Sequence, residues 1–137
     1  MLVFLLAAVS TTASPSPPSP CPADLFVANP RLKVVRATDR SLDDYVVTVD
    51  VTNRGRAAQT RGLHQHLELQ QQGKTLGTQP IPALGPAEAY AAAFRVTLPH
   101  AKTRVPFPVV FHYVLDAKAD AARDNCVTAN DRVAATL

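Results

Sequence analysis

Alternating apolar and polar positions mark residues 44–57 more clearly than any other stretch of the chain. Apolar side chains occupy every second position there: Tyr45, Val47, Val49 and Val51. This period of two is typical of a β-strand with one buried face. The strand pattern stops at Asn53-Arg54-Gly55, and because Asn and Gly tolerate positive φ angles, we predict a turn there.

Six further segments carry a strand pattern, and turn residues such as those of 38–43 separate them. They are residues 24–37 (an edge strand split at Pro30), 63–70, 75–78, 90–98, 109–116 and 132–137. The alanines of 90–98 also permit a helix beginning near Pro86, but aromatic and β-branched residues at even spacing favour a strand. The sequence therefore predicts an all-β, two-sheet antiparallel β-sandwich of about seven strands. A closed barrel is the alternative, and proline-rich crossings such as residues 80–86 argue against it.

Residues 1–22 do not have a strand pattern. Residues 1–13 begin with nine apolar residues and end in small ones, which predicts a cleaved signal peptide, although no Lys or Arg precedes the apolar run. A disordered apolar leader is the alternative. The run is too short to span a membrane. Residues 14–22 are rich in Pro and Ser and are predicted to be an extended tether, so that the folded domain covers residues 23–137. We expect a secreted or periplasmic protein.

The two cysteines also favour a secreted or periplasmic location. Cys21 and Cys126 lie near the two ends of the predicted domain, and an even pair in an exported protein favours a disulfide. A reactive thiol or a metal ligand is the competing interpretation, but the chain has no Cys-x-x-Cys motif and no His near Cys126.

Charge and motifs exclude several functions. The formal net charge is +3 at pH 7, and the basic residues are scattered, so nucleic acid binding is not expected. Ser41 is the only serine of the predicted domain and stands in no nucleophile motif, so we expect no enzyme and no cofactor. By elimination we expect a non-catalytic binding module that contacts a protein or a cell-envelope component, through the outer face of residues 63–70 and 109–116.

Histidines provide the alternative function. On a strand, His64, His66 and Glu68 point to the same side. If residues 63–70 pair with residues 109–116, as the corresponding strands of immunoglobulin-like sandwiches do, His112 joins them. Imidazole and carboxylate groups bind zinc and copper, so a periplasmic metal-binding protein is the second hypothesis. The acidic stretch 116–131 is predicted to be a solvated connection with a helical turn in residues 117–123, and a calcium loop is its alternative.

Four segments resemble the bacterial cell-adhesion-related domain, an immunoglobulin-like module of secreted and surface proteins. They are DLFV (24–27), VTVDVTNRGRAA (47–58), GKTLGTQPIPALGPAEA (73–89) and DNCVTAND (124–131). The resemblance covers nearly the whole predicted domain. It implies the same fold and a binding or spacer role outside the cytoplasm, with no shared catalytic residues.

Overall fold

The computed structural model of the chain describes residues 21–37, 42–99 and 108–136, which form two antiparallel β-sheets. The strands in chain order are β1 (Leu25–Ala37), β2 (Leu42–Asn53), β3 (Gln65–Gln71), β4 (Lys74–Ile81), β5 (Ala89–Pro99), β6 (Pro108–Val114) and β7 (Arg132–Thr136), and a short helix, α1 (Ala121–Asp124), precedes β7. The three-stranded sheet has the order β1-β2-β5, and the four-stranded sheet has the order β4-β3-β6-β7. This is the predicted all-β, immunoglobulin-like sandwich of seven strands.

The core lies between the two sheets because each strand turns its apolar positions inward. Val47, Val49 and Val51 of β2 are at most 1% exposed, which confirms the pattern from which the strand was predicted. The rings of Phe94 and Phe111 join the two sheets, with centroids 6.0 Å apart and planes inclined by 51°. Full burial of a side chain of this size stabilises the fold by about 1.5 to 3 kcal/mol.

The four edge strands of the two sheets differ in regularity. The pairing of β1 with β2 shifts register twice, after Ala28 and after Val34, and Pro30 lies in the first irregular stretch. On the other sheet, β4 contains Pro80 and a register shift against β3, and β7 has only 5 residues. By contrast, β5 pairs with β2 in one unbroken register over 11 residues. Among the strands that the structure describes, β5 therefore presents the most regular free edge.

Several strand ends differ from the predicted ones. β2 begins at Leu42, inside the predicted turn, and β3 begins at Gln65 rather than at Leu63. β4 continues to Ile81, because Pro80 lies on an edge strand, where a missing N–H costs little. The helical turn expected in residues 117–123 is found at Ala121–Asp124, where the side chain of Asp120 accepts a hydrogen bond of 3.1 Å from the Ala122 N–H.

The helical alternative for residues 90–98 is wrong. Ala87 has a φ of 62°, and the carboxylate of Glu88 accepts a hydrogen bond of 2.6 Å from the Gly85 N–H, so a tight turn precedes β5. The predicted leader, most of the tether and the loop before β6 lie outside the described residues. In the part of the chain that is described, no helix has the length and apolar character needed to cross a bilayer.

Candidate functional site

Two groups of polar side chains are candidates for a functional site, and the first is buried. It lies at the end of the sandwich that the disulfide between Cys21 and Cys126 closes, with Cα atoms 5.9 Å apart. This disulfide was predicted from the sequence. We call the group the buried polar network, and its members are Asn53, Gln59, Gln65, Tyr113, Asp124, Asn125 and Asp131.

The centre of the buried polar network is a reciprocal pair of amides. Gln59 donates from Nε2 to Oε1 of Gln65 over 3.0 Å, and Gln65 donates from Nε2 to Oε1 of Gln59 over 2.8 Å. The hydroxyl of Tyr113 also donates to Oε1 of Gln65, and burial raises the pKa of Tyr113, which keeps the hydroxyl protonated. Paired in this way, the buried amides hold the crossing from β2 to β3 against β6.

Asn53 ends β2, and its side chain makes four hydrogen bonds. Its Oδ1 accepts from the backbone N–H of Asp24 (3.2 Å) and of Gly55 (2.9 Å), and its Nδ2 donates to the carbonyls of Ala57 (2.9 Å) and Leu84 (3.1 Å). Asn53 therefore links the N-terminal segment to two loops through hydrogen bonds. The predicted turn is present, but neither Asn53 nor Gly55 has a positive φ.

Gly55 is required for a different reason than the sequence suggested. A Cβ on this residue would overlap the backbone oxygen of Pro22 and the Cα of Ala23, so the N-terminal segment packs directly on the Gly55 backbone. The neighbouring Ala57 N–H donates to the Pro22 carbonyl over 2.6 Å. The residues that follow Cys21 in the chain therefore make a close backbone contact with Gly55.

Acidic residues of the connection between β6 and β7 are also buried, so the expectation of a solvated loop is wrong for them. The carboxylate of Asp124 is 1% exposed and accepts from the N–H (2.7 Å) and the hydroxyl (3.1 Å) of Thr60. Asn125 accepts from the Leu25 N–H over 3.0 Å and donates to Asp131 over 2.8 Å. Burial raises the pKa of Asp131 to about 6. These contacts fix the loop as part of the fold.

The second group lies on the outer face of the four-stranded sheet. Glu68 on β3 is placed directly opposite His112 on β6, and His112 is opposite Arg132 on β7. His66 and Gln70 flank Glu68 on the same side of β3, because residues two apart on a strand point the same way. We call these five residues, His66, Glu68, Gln70, His112 and Arg132, the histidine face.

Glu68 is the centre of the histidine face. Its Oε1 lies 3.2 Å from Nε2 of His66, and its Oε2 accepts a hydrogen bond of 2.6 Å from Gln70. The same Oε2 is 4.0 Å from Nδ1 of His112. The side chains are part-exposed: 38% for His66, 22% for Glu68 and 23% for His112. The carboxylate is therefore surrounded by donors but remains accessible to solvent.

The ionisation of this group follows from its neighbours. The hydrogen bond from Gln70, and then that from His66, hold the pKa of Glu68 below its ordinary value. Burial, followed by the positive charge of Arg132, lowers the pKa of His112, and Glu68 opposes this shift. At neutral pH the face thus carries an ionised Glu68 beside a neutral His112 and a charged Arg132.

The predicted metal site is only partly assembled. The structure brings together His66, Glu68 and His112, and the predicted pairing of the two strands is confirmed. His64 precedes β3 and is exposed, so it does not share the strand geometry on which its prediction was based. Over residues 21–37, 42–99 and 108–136, no group of three or more His, Cys, Asp or Glu side chains is arranged to hold a metal ion.

Sequence reasoning missed the buried polar network. One signal was present: Gln65 shares its face of β3 with Leu67 and Leu69, which are both buried. No comparable signal marked Gln59, which lies in a polar link outside any strand and is 4% exposed.

Comparison with known proteins adds no further identification: no family model, curated protein or solved structure matches the chain. The strand order and the disulfide define the chain as an immunoglobulin-like, disulfide-linked β-sandwich. The resemblance to the bacterial cell-adhesion-related domain stays a prediction.

Proposed function

We propose that the chain is a non-catalytic binding module that works outside the cytoplasm and contacts another protein or a cell-envelope component through the histidine face. The observation that carries this proposal is the composition of that face. Its ionisable centre is part-exposed, and the half-buried Val110 and Val114 flank it on β6. A polar group beside apolar side chains on an exposed sheet face suits a protein contact.

Charge favours an acidic partner. Among the residues that the structure describes, the acidic Asp24, Asp124 and Asp131 are buried, whereas no Lys or Arg side chain is buried. The solvent-facing surface is therefore more basic than the formal charge of +3 indicates. A basic surface attracts acidic partners over distances of about a Debye length, and salt screens this attraction.

Secretion or a periplasmic location is part of the same proposal. The disulfide favours an oxidising compartment, because reducing conditions in the cytosol open such bonds. The resemblance to the cell-adhesion-related domain supports the same surroundings and a binding role.

Affinity capture with matched variants tests the proposal. Arg132→Glu reverses one charge on the histidine face, and Lys118→Glu makes the same change in the connection that follows β6, outside both sheets; both side chains are exposed. We expect envelope extracts to yield a partner that wild type and Lys118→Glu retain and that Arg132→Glu loses. Protease treatment of the extract separates a protein partner from another envelope component.

Equal retention by the two variants would contradict the use of the histidine face. A retained partner that does not dissociate at raised salt concentration would contradict its acidic character.

Metal binding is the second candidate function, and one observation favours it: His66 and His112 approach the two carboxylate oxygens of Glu68. Titration of the tag-free chain with zinc or copper tests it. If the site exists, His66→Ala and His112→Ala weaken binding, whereas His64→Ala leaves it unchanged, because His64 lies outside β3. An affinity that none of the three replacements changes removes the candidate.

A further inference from the structure

We infer that β5 pairs with β5 of a second copy of this chain, so that two three-stranded sheets join into one continuous sheet across a two-fold axis. The inference rests on the free edge of β5 and does not depend on the histidine face. It specifies the partner, the strand and the register.

Among the described edge strands, β5 is the one without protection. A regular edge offers a row of backbone N–H and C=O groups to another strand, and proteins usually block such edges with proline, bulges or short strands. β1 has Pro30 and two register shifts, β4 has Pro80 and one register shift, and β7 is short. β5 has 11 residues and no register shift, and its one proline, Pro99, is its last residue.

The outward side chains of β5 complement themselves in an antiparallel pair. If the two-fold axis passes at Ala93, Ala93 faces Ala93 of the second copy, and Ala91 faces Arg95 of the second copy. All three side chains are exposed. Each large side chain then meets a small one, and the two arginines are about 13 Å apart along the strands, since four residues separate them.

The inward side chains fit the same register. Phe94 would face Ala92 of the second copy, and Tyr90 would face Val96 of the second copy. Tyr90 and Val96 pack against the core but remain part-exposed, so pairing would cover apolar surface that the single chain leaves accessible. Aromatic and β-branched side chains form favourable cross-strand pairs.

Leu76 adds apolar surface on the same side of the sandwich. It is the exposed large hydrophobic residue of the described chain, at 42%, and its neighbour Gly77 packs on Phe94. A second copy bound along β5 would lie beside this corner of β4.

Cysteine cross-linking tests the register directly. In the inferred dimer, Ala93→Cys brings two thiols into directly opposite positions, within reach of a disulfide, whereas Ala91→Cys places its two thiols far beyond that reach. We expect mild oxidation to convert Ala93→Cys, but not Ala91→Cys, into a covalent dimer. Peptide mapping of the Cys21–Cys126 bond checks that the native disulfide is retained.

Charge variants test the same register without a covalent bond. Ala91→Glu faces Arg95 of the second copy and should strengthen the dimer, and Ala91→Lys should weaken it, each by roughly two- to thirty-fold in dissociation constant, because the pair occurs twice. Sedimentation equilibrium of the complete chain measures this constant. Circular dichroism confirms that both variants are folded.

Three results would overturn the inference. They are a wild-type chain that stays monomeric at its highest soluble concentration, cross-linking of both cysteine variants to equal extents, and a shift of the same sign for Ala91→Glu and Ala91→Lys. If the chain is monomeric, an extended segment of another protein becomes the alternative partner for the free edge of β5.

Discussion

Gln65 and Gln70 belong to the same strand, β3, and show what separates the two polar groups of this molecule. Gln65 is 3% exposed and bonds to Gln59, Tyr113 and the Pro82 carbonyl inside the buried polar network. Gln70 is half-buried on the histidine face, where its side chain donates a hydrogen bond to Glu68. The two identical side chains therefore have different environments, because they lie on opposite faces of β3.

The two polar groups differ in where their hydrogen-bond partners come from. A polar group in the interior must find partners within the protein, because no solvent can replace them, and the buried polar network meets this requirement. Polar groups on the histidine face exchange partners with water at little cost, so they can also exchange them with another molecule. The first group therefore stabilises the fold, and the second is available for the contact that we propose.

The largest expected effect comes from the disulfide beside the buried polar network. Replacing Cys21 and Cys126 together with Ala should lower the free energy of unfolding by about 4 to 5 kcal/mol, because the cross-link joins residues 105 positions apart. Urea denaturation measures the loss. A decrease of less than about 1 kcal/mol would show that the hydrogen bonds hold this end without the covalent link.

The two glutamines offer a matched pair of substitutions. Gln65→Ala should cost about 2 to 4 kcal/mol, since it leaves the amide of Gln59 and the hydroxyl of Tyr113 without their partner. Gln70→Ala should cost less than about 1 kcal/mol, because water replaces its bond to Glu68. Thermal or urea unfolding of both variants measures the difference. Equal losses would remove the distinction between the two groups.

Acid titration should expose the cost of burying Asp131. Its folded pKa of about 6 lies above the ordinary 3.8, so the folded state binds more protons between these values, and the contribution of Asp131 to stability rises as pH falls from 6 toward 3.8. His112 acts in the opposite direction just below pH 6.5, because its folded pKa is lowered.

The variant Asp131→Asn separates the two contributions. We expect its free energy of unfolding, relative to wild type, to be highest at neutral pH and to decline as the pH falls through 6. Urea titrations of both chains at a series of pH values measure this difference. A difference that does not change with pH would contradict the raised pKa of Asp131.

The smallest expected effect concerns the histidine face. The pKa of His112 should lie below its ordinary value of 6.5, and Arg132→Gln should raise it by removing a nearby positive charge. Glu68→Gln should lower it further. Nuclear magnetic resonance titration of the imidazole signals measures all three. The two substitutions must change the pKa of His112 in opposite directions. A change in the same direction would mean that these charges do not affect His112.

The sequence predicted the sandwich because local patterns were sufficient for it. Val47, Val49 and Val51 needed only the period of a strand, and the disulfide needed only an even pair of cysteines. Pairing of the two histidine-bearing strands followed from the usual order of such sandwiches. It could place Glu68 and His112 opposite each other, but it could not place His64, because strand ends depend on tertiary contacts.

The buried polar network could not be predicted in the same way. Asp124, Asn125 and Asp131 are ordinary turn residues by local chemistry, but they are buried by contacts with residues distant in the sequence: Thr60, Leu25 and Tyr113 respectively. Likewise, the role of Gly55 depends on where Pro22 passes. Interactions between segments far apart in the chain decide these positions.

The covalent link at Cys21 has a mechanical consequence. A pulling force applied to the chain before Cys21 and after Cys126 crosses directly through the bond between them. Residues 22–125 form a closed covalent loop that such a force cannot stretch, and only the final segment with β7 can be peeled away. Strands β1 to β6, which lie within this loop, would therefore stay folded under tension.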